Sequence, residues 1–433
     1  MRVLKTLDQF ITENYKNPFS DFLALNEGGA YGHLSHPFED ISLTLQDLKD
    51  MIDATVEGAF GPENFVWEKT DGQQISISWK DGRLIAARNK RHKKNAGENA
   101  LTIQGVADLF RGRGDIEIAY NAAMNDLTSS IGGLSEADKL KFFANGSKML
   151  SLEIMTPITQ NTVPYGQNML VFHGVIEYDA DGNNLGEDKG AAIELGKIIE
   201  DANLAAQETF YVRGPQALEI KAFPNTAKRK GYYNKQLKQI MKDTNTSLSS
   251  TVEEYAIGMG IRVLKDYMSN DAISIDNKYL EDLAKRIAGI SKSYKVSNIK
   301  KDLGDAGVWY LDLENREAKT MKRLVYSPLE NLFIEVGTEM MKNMSAFLSA
   351  TPTSAAEEMR REIDSTIARI RKVGNEEQIN KLEHELQRIT AAGGIESIVP
   401  TEGITFVFKG KVYKYTGIFA PIHQIRTMLG FGK

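Results

Sequence analysis

The stretch that decides the fold reads FVWEKTDGQQISISWKDGRLIAARNK and covers residues 65–90. Its second half alternates apolar and polar residues on both sides of the Asp-Gly pair at 81–82, which is the pattern of a β-hairpin with a two-residue turn. Another Asp-Gly pair, at 71–72, follows a strand-like run of bulky residues. Lys69 stands between that run and its turn. The pattern predicts antiparallel strands that hold one lysine beside a turn.

Strand patterns return along the chain on both sides of a long helical region. The strand-like segments are residues 75–80, 83–89, 149–155, 169–179 and 209–214, with a last hairpin at 403–417 that turns at Lys409-Gly410-Lys411. The helical segments are residues 3–15, 44–60, 136–150, 252–268, 277–290, 323–349 and 354–390. Period-2 and period-3.6 segments mixed in this way predict the α+β class.

These patterns divide the chain into four predicted segments. Residues 1–65 are a helical and loop segment, and 66–223 form the first part of a sheet domain. Residues 224–394 are a mainly α-helical insertion, and the strands of 395–433 are expected to rejoin the first sheet.

Composition excludes several classes of protein. The chain has 433 residues, 53 basic and 58 acidic, no cysteine and a formal charge of −5. A nucleic-acid site would therefore have to be a local basic surface, and disulfides and thiol catalysis are excluded. Apolar runs of roughly 20 residues, which a membrane span needs, are missing, and the first residues alternate charges where a signal peptide would be apolar. We expect a cytoplasmic protein without a membrane partner.

Several short motifs follow Lys69 in a fixed order. The tetrapeptide Lys69-Thr70-Asp71-Gly72, preceded by Glu68, has the form Lys-x-Asp-Gly. The later motif residues are Arg88 in AARNK, Glu153 in LSLEIM, Phe172 in MLVFHGVIEYD, Glu402-Gly403 in TEGITFVF and Lys414 in KVYKYTG. In this order the chain resembles the ATP-dependent ligase and RNA-capping superfamily of nucleotidyltransferases, closest to its RNA-ligase branch. It also resembles nucleotidyltransferase-like proteins of large tailed bacteriophages, which would place it in the host cytoplasm.

The resemblance implies a fold and a covalent reaction. The fold would be a ligase-type nucleotidyltransferase domain of antiparallel sheets with flanking helices, split by the helical insertion. Lys69 would attack the α-phosphate of ATP to form a lysyl-AMP, with Lys414 and Glu402 as the other catalytic residues. The residues implied in nucleotide binding are Glu68, Asp71, Gly72, Arg88, Glu153, Phe172 and Lys411, and those implied in Mg²⁺ binding are Glu153 and Glu402.

The chemistry of a lysine nucleophile fits this set of residues. An ammonium with an ordinary pKa of about 10.4 must lose its proton before it attacks phosphorus. Nearby cations such as Lys414 favour that loss and also neutralise charge on the triphosphate. Phe172 and the Trp67 region would offer apolar faces to adenine. Lys411 would be a second motif lysine only if a bulge turned it to the face of Lys414, because strand residues alternate.

The acceptor is inferred from departures from the family pattern. Gln74 stands where DNA ligases usually carry an arginine, which favours 5′-phosphorylated RNA over DNA. The 17 residues after Thr416 are too few for the oligonucleotide-binding barrel of DNA ligases and capping enzymes, so we expect the grip on nucleic acid to lie elsewhere. Two candidates are RNKRHKK, residues 88–94, and KRKGYYNKQLKQIMK, residues 228–242. Each is explained nearly as well as a solvated helix or hairpin end.

Other interpretations remain open at this point. The acceptor of AMP would be a protein or small molecule in one alternative, and in another the fold is a non-catalytic nucleotide-binding assembly module. A zinc site at His33 and His36 is disfavoured, because no cysteine or further histidine lies close in sequence. His173 is more typical of a satisfied core or site-edge histidine than of a catalyst.

Overall fold

The computed structural model describes residues 34–59, 65–159, 162–201, 210–214, 217–344, 352–409 and 411–428. The strands are β1 Phe65–Lys69, β2 Gln73–Lys80, β3 Arg83–Ala87, β4 Lys148–Met155, β5 Met169–Tyr178, β6 Asn184–Asp188, β7 Tyr211–Arg213, β8 Ala217–Glu219, β9 Gly403–Phe408 and β10 Lys411–Tyr415. The predicted helix at 3–15 and the residue Gly410 lie outside the described residues.

The helices of the described residues occupy most of the second half of the chain. They are α1 Leu45–Glu57, α2 Lys90–Gly97, α3 Ile103–Phe110, α4 Asp115–Gly132, α5 Glu136–Phe143, α6 Lys189–Asp201, α7 Thr226–Thr244, α8 Val252–Asn270, α9 Asn277–Ile287, α10 Val296–Leu303, α11 Asp305–Lys342, α12 Pro352–Val373, α13 Glu376–Ala391 and α14 Phe419–Thr427. Helices and mainly antiparallel sheets together confirm the α+β class. In the described part of the chain, no helix is both long and apolar enough to span a membrane.

The chain packs into two compact units. The six-stranded unit is built on Thr70–Gln216, and the four-stranded unit combines Ser35–Lys69 with Ala217–Lys433. This division differs from the predicted boundaries at 223/224 and 394/395. The reason is that the helices after β8 share one core with the four-stranded sheet, where Tyr255 of α8 and Phe333 of α11 pack in the same cluster as Phe406 of β9.

In the six-stranded unit the strand order is β3-β2-β4-β5-β6, with β7 beside β5. All pairs are antiparallel except β5 with β7. One face of the sheet is apolar and packs on helices that include α4. Its buried residues include Ile75, Ile77, Leu150, Leu152 and Phe172, together with Tyr120 and Leu127 of α4. Alternation along each strand leaves the other face with several polar side chains.

In the four-stranded unit the strand order is β10-β9-β1-β8, so β1 pairs with two strands from the second half of the chain. One face of this sheet packs on α1, α8 and α11. Its buried residues include Val66, Ile404, Phe406, Tyr413 and Tyr415, with Leu48 and Met51 of α1 and Leu332 of α11. A smaller core joins α12, α13 and α14 through Ile363, Leu382 and Ile422.

Candidate active site

Lys69 is the last residue of β1 and lies opposite Gly403 of β9. In the same sheet Trp67 pairs with Thr405, and Thr405 pairs with Lys414 of β10. Cross-strand partners share a face and alternate residues of one strand do too. Trp67, Lys69 and Lys414 therefore lie on the face of the sheet opposite the apolar core.

Four charged residues of the four-stranded unit interact with one another, and we call them the lysine cluster: Lys69, Lys414, Glu402 and Glu39. The Lys69 amine forms an ion pair with Glu402 Oε1, and both side chains are mostly shielded from water. Burial, followed by the nearby charge of Lys69, lowers the pKa of Lys414, while the carboxylates of Glu39 and Glu402 act in the opposite direction. The cluster places one carboxylate and a second cation beside the predicted nucleophile, and Glu39 adds a carboxylate near that second cation.

Glu39 is the member of the lysine cluster that the sequence did not identify. It closes a short 3₁₀ turn at Pro37–Glu39, where its carboxylate accepts a hydrogen bond of 2.7 Å from the His36 amide. The segment is held beside β10, because the Lys414 amide donates to the Ser35 carbonyl at 3.2 Å. Glu39 belongs to none of the sequence motifs, because it comes from a separate turn that precedes β1.

The residue after Glu402 has to be a glycine, Gly403, for two structural reasons. Its φ is +152°, and a Cβ atom added there would lie 2.1 Å from the carbonyl oxygen of Tyr415. A side chain would therefore push β9 away from β10. The glycine keeps the strands that carry Glu402 and Lys414 in register.

Two predicted site residues lie on the wrong face of this sheet. Glu68 is 4% exposed and points to the core face, because it neighbours Lys69 along β1. Lys411 pairs with Asp40 at 2.9 Å on the side where Tyr413 also reaches Asp40. The β9–β10 register has no bulge, so alternation separates Lys411 from Lys414. Their positions contradict nucleotide contacts on the Lys69 face.

Asp40 binds side chains of β10, and its low pKa makes the free energy of unfolding depend on pH. Although partial burial acts to raise it, hydrogen bonds from Ser42, Lys411 and Tyr413 lower the pKa of Asp40 to about 2. A carboxyl with a folded pKa below its unfolded value stabilises the fold above about pH 4 and loses that contribution as the pH falls toward about 2. We expect Asp40→Asn to reduce the change in unfolding free energy between about pH 5 and 3, measured by urea unfolding. Equal pH dependence in both proteins would contradict this role.

The Lys-x-Asp-Gly turn continues into the six-stranded unit, where its last three residues are clamped. Glu153 Oε2 accepts a hydrogen bond from the Thr70 hydroxyl and another, 3.1 Å long, from the Gly72 amide. A Cβ on Gly72 would lie 2.9 Å from the Met155 side chain and 3.0 Å from the Ile154 carbonyl oxygen. The glycine thus lets the turn approach β4 closely.

Asp71 anchors a second loop to the same turn. Its Oδ2 atom accepts hydrogen bonds from the amides of Thr162 at 2.6 Å and Val163 at 3.1 Å. The Asp71 amide in turn donates to the Tyr165 hydroxyl at 3.1 Å. All of these groups are buried, so the aspartate of the motif orders the turn and its loop.

We expect Asp71→Ala to destabilise the protein by about 2–4 kcal/mol, because it leaves two buried amides without their acceptor. Asp71→Asn keeps one acceptor oxygen and should lose less. Urea unfolding of both variants gives the comparison. A loss within about 0.5 kcal/mol for the alanine variant, as at an ordinary surface position, would contradict the anchor role.

His173, and not Phe172, faces Glu153 on the polar side of the six-stranded sheet. The register between β4 and β5 shifts between Ser151 and Leu152, which leaves His173 as the extra residue of a bulge. His173 Nε2 lies 3.8 Å from Glu153 Oε1 and 3.4 Å from the Thr70 hydroxyl. Phe172 is 0% exposed in the core of the unit. Its burial contradicts the predicted stacking on a base, because no face of the ring is accessible.

Gln74 lies on the same polar face as Glu153, its partner across β2 and β4. Its Nε2 atom is 3.4 Å from the hydroxyls of Ser76 and Ser151, and its buried Oε1 atom has no hydrogen-bond partner. A buried carbonyl oxygen without a protein partner is uncommon in folded proteins. Gln74, Glu153 and His173 therefore form a polar surface on this face of the sheet.

Arg88 supports this surface from within the protein. Its guanidinium donates to the Gln74 carbonyl and, at 2.7 Å, to the Tyr120 hydroxyl. It also lies 5.7 Å from the ring centres of Tyr120 and Phe110, which stack on each other. In the structure Arg88 thus holds β2 in place; its predicted contact with a nucleotide stays a prediction.

The basic run RNKRHKK continues into α2, and two of its lysines contact other residues of the same unit. Lys93 is buried, and its amine lies 4.7 Å from the centre of the Tyr178 ring. Burial lowers the pKa of Lys93 to about 8. Lys90 donates a hydrogen bond of 2.6 Å to the side-chain oxygen of Asn183. These contacts weaken the run as a surface for phosphates.

The donor groups fit Mg²⁺ only in part. Among the described residues no three His, Asp or Glu side chains cluster so as to hold a metal ion. Glu402 fits as a single carboxylate ligand, since Mg²⁺ usually binds through one or two carboxylates and the phosphates of its substrate. Glu153 has its Oε2 atom engaged by Thr70 and Gly72, so its position favours a structural role.

The fold and site together define a mixed α+β protein with a lysine cluster on one antiparallel sheet and a polar surface on another. A comparison with protein-family models gives no match, and a comparison with curated proteins gives none either. The function proposed below rests on the residues of this chain.

Proposed function

We propose that this protein is an ATP-dependent covalent nucleotidyltransferase of the RNA-ligase type, with Lys69 as the nucleophile. The observation that carries the proposal is the lysine cluster, in which Lys69, Glu402 and Lys414 lie together although more than 300 residues separate the first from the other two. The motifs that carry the resemblance to the ligase and capping superfamily supply these three residues. The ligase-type nucleotidyltransferase domain belongs to the same proposal.

In the proposed step the Lys69 nitrogen forms a bond to the α-phosphorus of ATP, and the bond from that phosphorus to the pyrophosphate oxygen breaks. Lys69 loses two protons in the step: Glu402, in contact with the amine, accepts the one that leaves before the attack. The second leaves the nitrogen after the bond to phosphorus has formed and passes to the departing pyrophosphate or to water. Lys414 opposes the build-up of negative charge on the phosphates. The products are lysyl-AMP and pyrophosphate.

Mg²⁺ bound through Glu402 would neutralise the charge of the triphosphate. Trp67 lies on the same face of the sheet as Lys69 and is partly exposed. It replaces Phe172 as the aromatic residue that we assign to stacking on adenine.

In a second step the AMP would pass to the 5′-phosphate of a polynucleotide, and a 3′-hydroxyl would displace it to form a phosphodiester. Gln74 at the position of an arginine in DNA ligases is the feature that favours RNA. Transfer from the adenylated protein to 5′-phosphorylated RNA and to nicked duplex DNA compares the two acceptors. If neither nucleic acid removes AMP from the lysyl-AMP, the acceptor would instead be a protein or a small molecule.

Incubation with each α-labelled nucleoside triphosphate and Mg²⁺, followed by denaturing electrophoresis, tests the proposed function. The expected result is protein-bound label from ATP in excess over label from CTP, GTP or UTP. Absence of bound label from all four nucleotides would overturn the proposal and favour a non-catalytic nucleotide-binding module.

A further inference from the structure

Helix α7 presents a row of lysines to solvent, which we call the α7 lysine face: Lys228, Lys235, Lys238 and Lys242. All four are exposed, and within the described residues none forms an ion pair with an acidic side chain. Some exposed lysines elsewhere do form such pairs, as Lys278 does with Asp276 and Lys381 with Glu377. The face is therefore an uncompensated positive surface on a chain whose formal charge is −5.

The sequence around α7 concentrates this charge. Residues 220–242 contain seven lysine or arginine residues and no aspartate or glutamate. Two of the seven form ion pairs with acidic residues of other helices: Arg229 pairs with Glu339 at 2.8 Å, and Lys230 pairs with Glu57. A solvated helix is normally laced with pairs of opposite charge three or four residues apart. Helix α7 lacks them along its exposed face until Asp243.

The lysines follow one line along the helix. Positions 228, 235 and 242 are seven residues apart, which is close to two turns, so the line extends about 21 Å along the axis. The opposite side of α7 is buried through Tyr233, Leu237 and Ile240. Packing on that side fixes the orientation of the helix and directs the lysine face outward.

Tyr232 lies within this face and adds an aromatic surface. Its side chain is 48% exposed, and its hydroxyl donates to Glu335 at 3.1 Å, which fixes the ring at the surface. Lysines that contact phosphates, combined with aromatic rings on which bases stack, are the recurring elements of single-strand binding. Asp243 at the end of the face is paired with Arg262 at 3.3 Å and does not offset the lysines.

We infer that the α7 lysine face binds the sugar-phosphate backbone of a single-stranded polynucleotide, with Tyr232 stacking on one base. The inference rests on the proposed function only in identifying this strand as the acceptor of AMP. Binding at the face uses neither Lys69 nor ATP, so the two claims can fail separately. An acidic protein or an anionic membrane would also be attracted by the lysines, but neither carries bases that stack on the exposed Tyr232 ring.

The test compares two fourfold variants of the full chain. The face variant carries K228Q, K235Q, K238Q and K242Q, and the control variant carries K265Q, K295Q, K300Q and K301Q, four other exposed lysines of the same unit. Fluorescence anisotropy with a 5′-phosphorylated oligoribonucleotide of about 16 nucleotides measures affinity at several salt concentrations. Labelling by α-labelled ATP in the absence of RNA is measured on the same samples.

We expect the face variant to bind at least roughly tenfold more weakly at about 0.1 M salt, and its salt slope to be smaller by about 0.7 for each lost phosphate contact. The control variant should bind like the unmodified protein, and both variants should keep ATP labelling. Tyr232→Ala should weaken binding while Tyr232→Phe should not, because only the first removes the ring. Equal losses in face and control variants, or no loss in either, would overturn the inference. So would lysine-dependent binding to phosphatidylserine vesicles without binding to RNA.

Discussion

Replacing Lys69 should remove covalent adenylation. We expect Lys69→Ala and Lys69→Arg each to lower the rate of label transfer from α-labelled ATP by at least roughly a thousandfold, because neither side chain offers a nucleophilic amine. The alanine variant also leaves Glu402 without its ion pair, which could disturb the fold. The arginine variant keeps a cation beside Glu402, but its guanidinium stays protonated and does not attack phosphorus.

The arginine variant therefore separates loss of the nucleophile from loss of the ion pair. Thermal unfolding of both variants shows whether the fold is retained. A Lys69→Arg protein that unfolds like the unmodified protein and still acquires label would contradict the assignment of Lys69.

Glu402→Gln should give the second largest effect. The amide keeps the size of the side chain and its contact with the Lys69 amine, but it does not accept a proton and is no longer an anionic ligand for Mg²⁺. We expect the rate of lysyl-AMP formation to fall about a hundredfold, the lower range for loss of a general base. Single-turnover labelling at saturating ATP measures this rate.

A matched control is Glu39→Gln, which removes the other carboxylate of the lysine cluster. The charge of Glu39 acts on the pKa of Lys414, whereas the ion-pair partner of Lys69 is Glu402. Its loss should therefore reduce the rate less than the loss of Glu402. Equal rates in Glu402→Gln and the unmodified protein would show that Glu402 takes no part in the step.

Local patterns in the sequence predicted the strands that form the site. Alternation predicted β2, β4, β5 and the final hairpin, and the Asp-Gly pair at 81–82 predicted the turn between β2 and β3. The start of α11 at Asp305 was not predicted. Between Leu313 and Met321 the buried positions of that helix are interrupted, and a periodic pattern cannot be followed through such a gap.

The composition of the site was harder to predict than its strands. The pairing of Lys69 with Glu402 follows the motifs, and alternation alone would have placed Glu68 on the other face of β1. The exchange of Phe172 for His173 depends on a bulge, which inserts one residue without a sequence signal of its own. Glu39 belongs to the lysine cluster only in the folded chain, where its charge acts on Lys414.

The central claim is a covalent AMP on Lys69, and mass spectrometry of the protein after incubation with ATP and Mg²⁺ tests it most directly. The intact mass should increase by one AMP, and peptide mapping should place that AMP on the peptide that contains Lys69. An adduct on another lysine, or an unchanged mass under conditions in which the protein is folded and binds ATP, would contradict the claim.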